Sequence, residues 1–120
     1  MRGECFVTTF GRVKWSRWRP FPDPRKGELL MAPFGPGCYE LRHGRRLLLF
    51  GKGNHVAHRM TSLLPHPLGC GTRKNERKRR YVLKHVAEIE YRTLACATSK
   101  DAGVSERVLK RNRAVYLFGT

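Results

Sequence analysis

Four side chains stand out by type and spacing: Tyr39 in the tripeptide Gly37-Cys38-Tyr39, His55 and Arg59 in the run GKGNHVAHR (51–59), and Glu106 near the C-terminus. A phenol, an imidazole, a guanidinium and a carboxylate are the groups that phosphodiester hydrolysis calls on. A water must lose a proton, the charge developing at phosphorus must be stabilised, and the leaving oxygen must be neutralised. Arg suits the phosphate because its planar fork holds two oxygens and never deprotonates. Each residue also has a plainer reading. Tyr39 could fill a core, Arg59 could lay its stem on one, and Glu106 could pair with Lys110 one turn on.

The elements that must position these groups can be read from the pattern. Cys38–Arg42 and Arg46–Phe50 are short strand-like runs around His43-Gly44-Arg45, which reads as a hairpin. Gly51 and Gly53 stop the second strand. Asn54 can then cap a helix whose apolar positions Val56, Met60, Leu63 and Leu64 follow i, i+4, i+7, i+8 until Pro65 ends it. On that helix His55, Arg59 and Ser62 share a face. A Pro/Gly-rich loop (65–72) leads to a basic-fronted helix over 73–84, a strand over 89–97, a helix over 101–111 and a last extended segment at 114–118. Residues 1–35 alternate aromatics (Phe6, Phe10, Trp15, Trp18, Phe21, Phe34) with prolines. They read as an arm packed on the core, with a short strand at 28–32.

At 120 residues the chain suits one domain with one modest core. Lys and Arg number 25 against 9 Asp and Glu, a formal net charge of +16. So large an excess costs self-repulsion that a polyanion relieves, and nucleic acid is the expected partner. No run approaches the roughly 18 apolar residues of a membrane span. The N-terminus lacks the apolar stretch of a secretory signal, so the expected location is cytoplasmic. Cys5, Cys38, Cys70 and Cys96 are spaced too widely for a zinc ribbon or finger and are expected to be free thiols, with Cys38 and Cys96 small enough for the core.

Taken together, GCY at 37–39, LFG at 49–51, an Arg in the following helix and an acidic residue in the last helix resemble the GIY-YIG nuclease family over residues 36–120. Tyr39 precedes Leu49 by ten positions and Leu49 precedes Arg59 by ten, the linked spacing of that family. The resemblance implies an α/β domain with a small three-stranded, mainly antiparallel sheet flanked by helices and carrying a basic insertion at about 65–80. It implies a DNA endonuclease in which Tyr39 is the base or base relay, Arg59 clamps phosphate and Glu106 anchors Mg²⁺ or Mn²⁺, with no small-molecule cofactor. The alternative is a catalytically weak or inactive nucleic-acid-binding relative, because Leu49 stands where the family places a second Tyr. The family's terminal Asn also lacks a counterpart. His55, beside the clamp, is a candidate for proton transfer or phosphate binding. Lys52, Arg73, Lys74, Arg77, Lys78, Arg79 and Arg80 are the residues expected to touch nucleic acid. The oligomeric state is left open.

If those cations meet phosphates, neutralising three of them changes the slope of log affinity against log salt by about 2 to 3 units, at about 0.9 for each phosphate no longer neutralised. A filter-binding titration on duplex DNA measures it, and an unchanged slope places the DNA elsewhere.

Overall fold

A computed structural model describes residues 5–8, 11–23, 26–63 and 76–119. The fold is α/β. Its centre is an antiparallel sheet of four strands in the order β3-β6-β4-β5, formed by β3 (Arg19–Pro20), β4 (Gly37–His43), β5 (Arg46–Gly53) and β6 (Ile89–Ala95). The strands β1 (Cys5–Thr8) and β2 (Gly11–Lys14) make a separate hairpin. The sequence predicts three main strands, which are β4, β5 and β6. The fourth is a two-residue edge contributed by the arm, where Ser16 and Phe21 donate backbone bonds to Thr93 and Ile89 on either side of it.

The β4–β5 hairpin turns more tightly than expected. His43 already pairs with Arg46, so only Gly44 and Arg45 form the loop, and Gly44 adopts φ +61°, a backbone region that favours glycine. The register slips between Leu41 and Arg42, which face Leu49 and Leu47 and leave Leu48 as an extra residue. Together with cover on both faces, this bulge lets Leu48, Leu49 and Phe50 all be buried in succession.

One face of the sheet holds Tyr39, Leu41, Tyr91 and Ile89, packed with Val56 and Met60 of α1 (Val56–Met60), Leu63, Val82 of α2 (Glu76–Lys84) and Val86. The other face carries Cys38 and Leu94, packed with Trp15, and receives α3 (Ser99–Arg111). There the Cys38 thiol donates to the Ala102 carbonyl at 3.5 Å. Beside them Glu40, 2% exposed, accepts from Arg92 Nε at 2.7 Å and from the Tyr116 hydroxyl. The Arg92 guanidinium lies 4.6 Å over the Trp15 ring and 4.7 Å over Trp18, while Arg42 lies 4.1 Å over Trp18 and bonds Glu90. These ring faces lend the buried cations negative potential.

Several sequence expectations are corrected. The N-cap of α1 is His55, whose Nδ1 accepts from the His58 amide at 3.0 Å, and not Asn54, which accepts from Ser99 Oγ at 2.6 Å. That helix is one short turn, continued as a 3₁₀ turn over Thr61–Leu63. The strand expected at 28–32 is extended chain outside the sheet, fastened by the Met31 amide to the Tyr91 hydroxyl at 2.8 Å. The last strand-like run instead forms a 3₁₀ turn at Arg113–Val115, after which Leu117 and Phe118 donate to the Leu47 and Leu48 carbonyls of β5. Of the arm's aromatics, Trp15 and Phe21 are buried, whereas Phe34 is 80% exposed and stacks on His55. Phe10, the loop 65–72, Arg73 and Lys74 lie outside the described residues, as does the side chain of Phe6. No helix among the described residues is long and apolar enough to cross a membrane.

The Glu40 network sets an expected hierarchy. Tyr116→Phe removes one hydrogen bond to a buried charge and is expected to cost about 1.5 to 3 kcal/mol. Glu40→Ala leaves Arg92 without its carboxylate and is expected to cost about 3 to 5 kcal/mol. Urea midpoints measure both, and equal, sub-kilocalorie losses contradict the assignment.

Candidate active site

Beside β5 lies a small polar cavity of about 170 Å³, lined by Tyr39, Phe50, Gly51, Lys52, Arg59, Leu63, Lys78 and Glu106. Two neighbouring strands and all three helices contribute to its walls. Tyr39 belongs to β4, Phe50 to Lys52 to the neighbouring β5, Arg59 to α1 with Leu63 just beyond it, Lys78 to α2 and Glu106 to α3. The C-terminal segment covers β5 at Leu47 and Leu48, and the cavity opens farther along the same strand.

Glycines shape it. Tyr39 pairs across the hairpin with Gly51, and the Tyr ring lies so close that a Cβ on Gly51 would meet the hydroxyl at 2.4 Å. Gly53 plays the same part for the helix, since a Cβ there would stand 3.0 Å from Arg59 Cβ. Gly37 is needed at the other end of the motif, where a Cβ would fall 2.1 Å from the Leu94 carbonyl oxygen. The three glycines of GCY, LFG and GKG therefore answer to close approaches of chain to chain, not to turns.

The electrostatics follow from burial and from Arg59. Burial raises the Tyr39 phenol above its ordinary pKa, while the Arg59 guanidinium opposes that rise through its charge and a hydrogen bond; the charges of Cys38 and Glu106 add smaller upward pushes. Tyr39 is therefore a protonated donor at neutral pH, and Arg59 is the group that stabilises its phenolate when a proton leaves. Lys78 is lowered, first by burial and then by Arg59. Cys38, with its pKa pushed up to about 12 mainly by burial, stays a thiol and is no nucleophile.

Glu106 is the one acid among the described residues that line the cavity. Its Oε1 lies 4.0 Å from Lys52 Nζ and 3.6 Å from Lys110 Nζ, with the carboxylate largely buried and both ammoniums about half exposed. A single carboxylate fits a hard divalent ion that keeps most of its waters. Both lysines have the exposure and the side-chain length to swing aside. Among the lining residues Glu106 is the carboxylate that could hold such an ion.

The structure gathers Tyr39, Arg59, Glu106, Lys52 and Lys78 at one cavity. His55 is not among them: it caps α1 and lines a separate cleft with Leu30, Ala57, His58 and Thr61. Arg77 lies on the surface with its guanidinium 5.8 Å over the Phe118 ring, Arg80 bonds Glu76, and Arg79 is half-buried on the same helix. Leu49 is 1% exposed opposite Leu41 and belongs to the core. Sequence reasoning treated Gly51 only as a strand terminator. The signal it overlooked was the hairpin register, which puts Gly51 directly opposite Tyr39.

Gly51→Ala is expected to destabilise the protein by about 1 to 3 kcal/mol, because the added methyl has no room without moving the Tyr39 ring. Gly35→Ala, where a Cβ meets nothing within 4 Å, is expected to stay within about 0.5 kcal/mol. Thermal melts of the pair test this, and similar losses for both would remove the close-approach argument.

No protein-family model matches the chain, and neither does any curated protein or solved structure, so the functional reading rests on the cavity itself.

Proposed function

We propose that the cavity is the active site of a metal-dependent endonuclease that hydrolyses DNA phosphodiester bonds, in the manner of the GIY-YIG nucleases that the sequence resembles. One observation carries the reading. A strand, a helix and a later helix bring Tyr39, Arg59 and Glu106 to the same 170 Å³ space, with Lys52 and Lys78 as further cations.

In this reading a phosphate enters beside Arg59, which binds its oxygens through the planar fork. Lys78, its ammonium weakened by burial and by Arg59, gains a partner when the anion arrives. The Tyr39 hydroxyl, held in place against Gly51, acts as a relay: it passes its own proton to an oxygen of the bound phosphate as it takes the proton of the attacking water, and the adjacent guanidinium stabilises the phenolate character that develops between the two transfers. Glu106 would hold a divalent ion, which would supply Lewis-acid stabilisation of the phosphate oxygens. With Leu49 sealed in the core, Tyr39 is the cavity's proton relay on this pathway. Basic residues of α2, Arg77 and Arg80 among them, extend positive charge away from the cavity for the flanking backbone.

A second reading is favoured by the lysines on Glu106. Lys52 and Lys110 neutralise the carboxylate, which is the arrangement of a phosphate-binding surface that does not cut.

Glu106→Gln separates the two. It keeps size and removes the charge a hard cation needs, so Mg²⁺-dependent nicking of supercoiled plasmid is expected to fall by at least about 100-fold, the scale on which single catalytic charges act. DNA binding without Mg²⁺ is expected to persist or tighten. A wild-type protein that binds plasmid and leaves it uncut in both Mg²⁺ and Mn²⁺ supports the second reading.

A further inference from the structure

Away from the cavity, at the hairpin end of the sheet, three side chains converge. His43 closes β4, and His85 and Glu88 stand at i, i+3 on the turn between α2 and β6. The ligating atoms of the three all lie within 4.8 Å of one another. We infer that His43, His85 and Glu88 form a binding site for a divalent transition-metal ion of the Zn²⁺ class, which clamps α2 to the hairpin end of the sheet. This site is separate from the proposed nuclease cavity and does not depend on that reading.

The geometry points to a metal in three ways. First, both imidazoles address the same carboxylate oxygen: Glu88 Oε1 is 2.8 Å from His43 Nε2 and 3.8 Å from His85 Nδ1. Ligand atoms about 2.0 to 2.1 Å from a tetrahedral Zn²⁺ stand about 3.3 to 3.4 Å apart. The two observed separations straddle that value, so small side-chain rotations open a place for the ion.

Second, the outer support is built. His43 Nδ1 lies 2.7 Å from the Tyr81 hydroxyl, which fixes the ring and leaves Nε2 to the ion. An imidazole ligand with its other nitrogen held by a polar group is the recurrent arrangement around zinc. On binding, the ion takes the place of the His43 Nε2 contact with Glu88 Oε1. The His43 ring then carries its proton on Nδ1 and donates it to Tyr81.

Third, the ligands stand on fixed backbone. His43 pairs with both Arg46 and Ile89, the Glu88 amide donates to the His85 carbonyl at 2.8 Å, and the His85 amide donates to Tyr81 at 3.1 Å. The flanking Val86 and Ile89 are buried, whereas the Glu88 side chain is largely exposed, giving an ion a route in. Two imidazoles and one carboxylate leave a fourth position for water. The set favours Zn²⁺, Co²⁺ or Ni²⁺ over Mg²⁺, which prefers oxygen ligands.

The test uses the full chain stripped with a chelator and titrated with Zn²⁺ by calorimetry and in thermal melts. One equivalent is expected to bind, with a rise in Tm that Mg²⁺ does not produce. Glu88→Gln, at an exposed position, is expected to weaken Zn²⁺ binding at least about 10-fold, and Tyr81→Phe, which keeps all three ligands and removes the orienting hydroxyl, about 10- to 100-fold. Glu106→Gln is expected to leave Zn²⁺ binding unchanged. Absence of Zn²⁺ binding overturns the inference, and so does wild-type affinity in Glu88→Gln, which would place the ion on other groups such as Cys96 or the His55–His58 pair.

Discussion

A Tyr ring can lie flat across a neighbouring strand only where that strand has no side chain, and Gly51 provides this opposite Tyr39. Because β5 is an edge strand, the hydroxyl laid over it reaches out from the sheet toward groups carried by other elements. The helix α1 then comes close enough, over Gly53, for Arg59 to bond the phenol. From the other face α3 brings Glu106 to the same edge. Had position 51 a side chain, the ring would be displaced and the meeting point of β4, α1 and α3 would be filled with carbon. The cavity follows from one cross-strand pair.

The opposite face is built on the next residue. Side chains alternate along a strand, so Tyr39 and Glu40 project to opposite sides of the same central strand, one into the polar cavity and one into a buried ionic network. Glu40 is expensive to desolvate and is retained with its counter-charge Arg92, the Tyr116 hydroxyl and, beneath the guanidinium, Trp15. Tyr116 holds its proton firmly, since burial and the Glu40 carboxylate both raise its pKa. It is therefore a dependable donor. This network joins the arm, β4, β6 and the C-terminal turn, so the strand bearing Tyr39 is clamped from behind. A site that depends on a ring laid against a backbone with no room for a Cβ needs such rigidity.

What could be read from the sequence was what local chemistry determines. The hairpin is signalled by two apolar runs around Gly44, and the last helix, expected over 101–111, runs over Ser99–Arg111 with Thr98 as its cap. Tyr39, Arg59 and Glu106 are expected together from the resemblance to the GIY-YIG family, whose ten-residue spacings Tyr39, Leu49 and Arg59 match, whereas Lys52 and Lys78 are expected only among the cations that touch nucleic acid. What escaped depends on distant partners. Asn54 has the better capping propensity, yet its carbonyl is drawn to Ser99 and the adjacent His55 takes the cap. No local pattern shows that Ser99 will be near. The short edge strand at Arg19–Pro20 has too few residues for periodicity to register, and Phe34 gives no sign in its own neighbourhood that it lies outside the core. The register slip at Leu48 was equally hidden, since three consecutive apolar residues suit a covered strand with or without a bulge.

Charge sets the balance between stability and use. The cavity holds three cations, Arg59, Lys52 and Lys78, against the carboxylate of Glu106, within a chain of net charge +16. Folding brings like charges together, and the cost is visible at Lys78, whose ammonium is weakened by burial and by Arg59. Nothing in packing requires this arrangement. Apolar residues at the same positions would seal the space, as Leu49 does beside it. Under the proposed function, the anion that relieves this crowding is a backbone phosphate, whose oxygens the planar Arg59 guanidinium would hold in a space of about 170 Å³, and the basic face of α2 would meet the phosphates on either side.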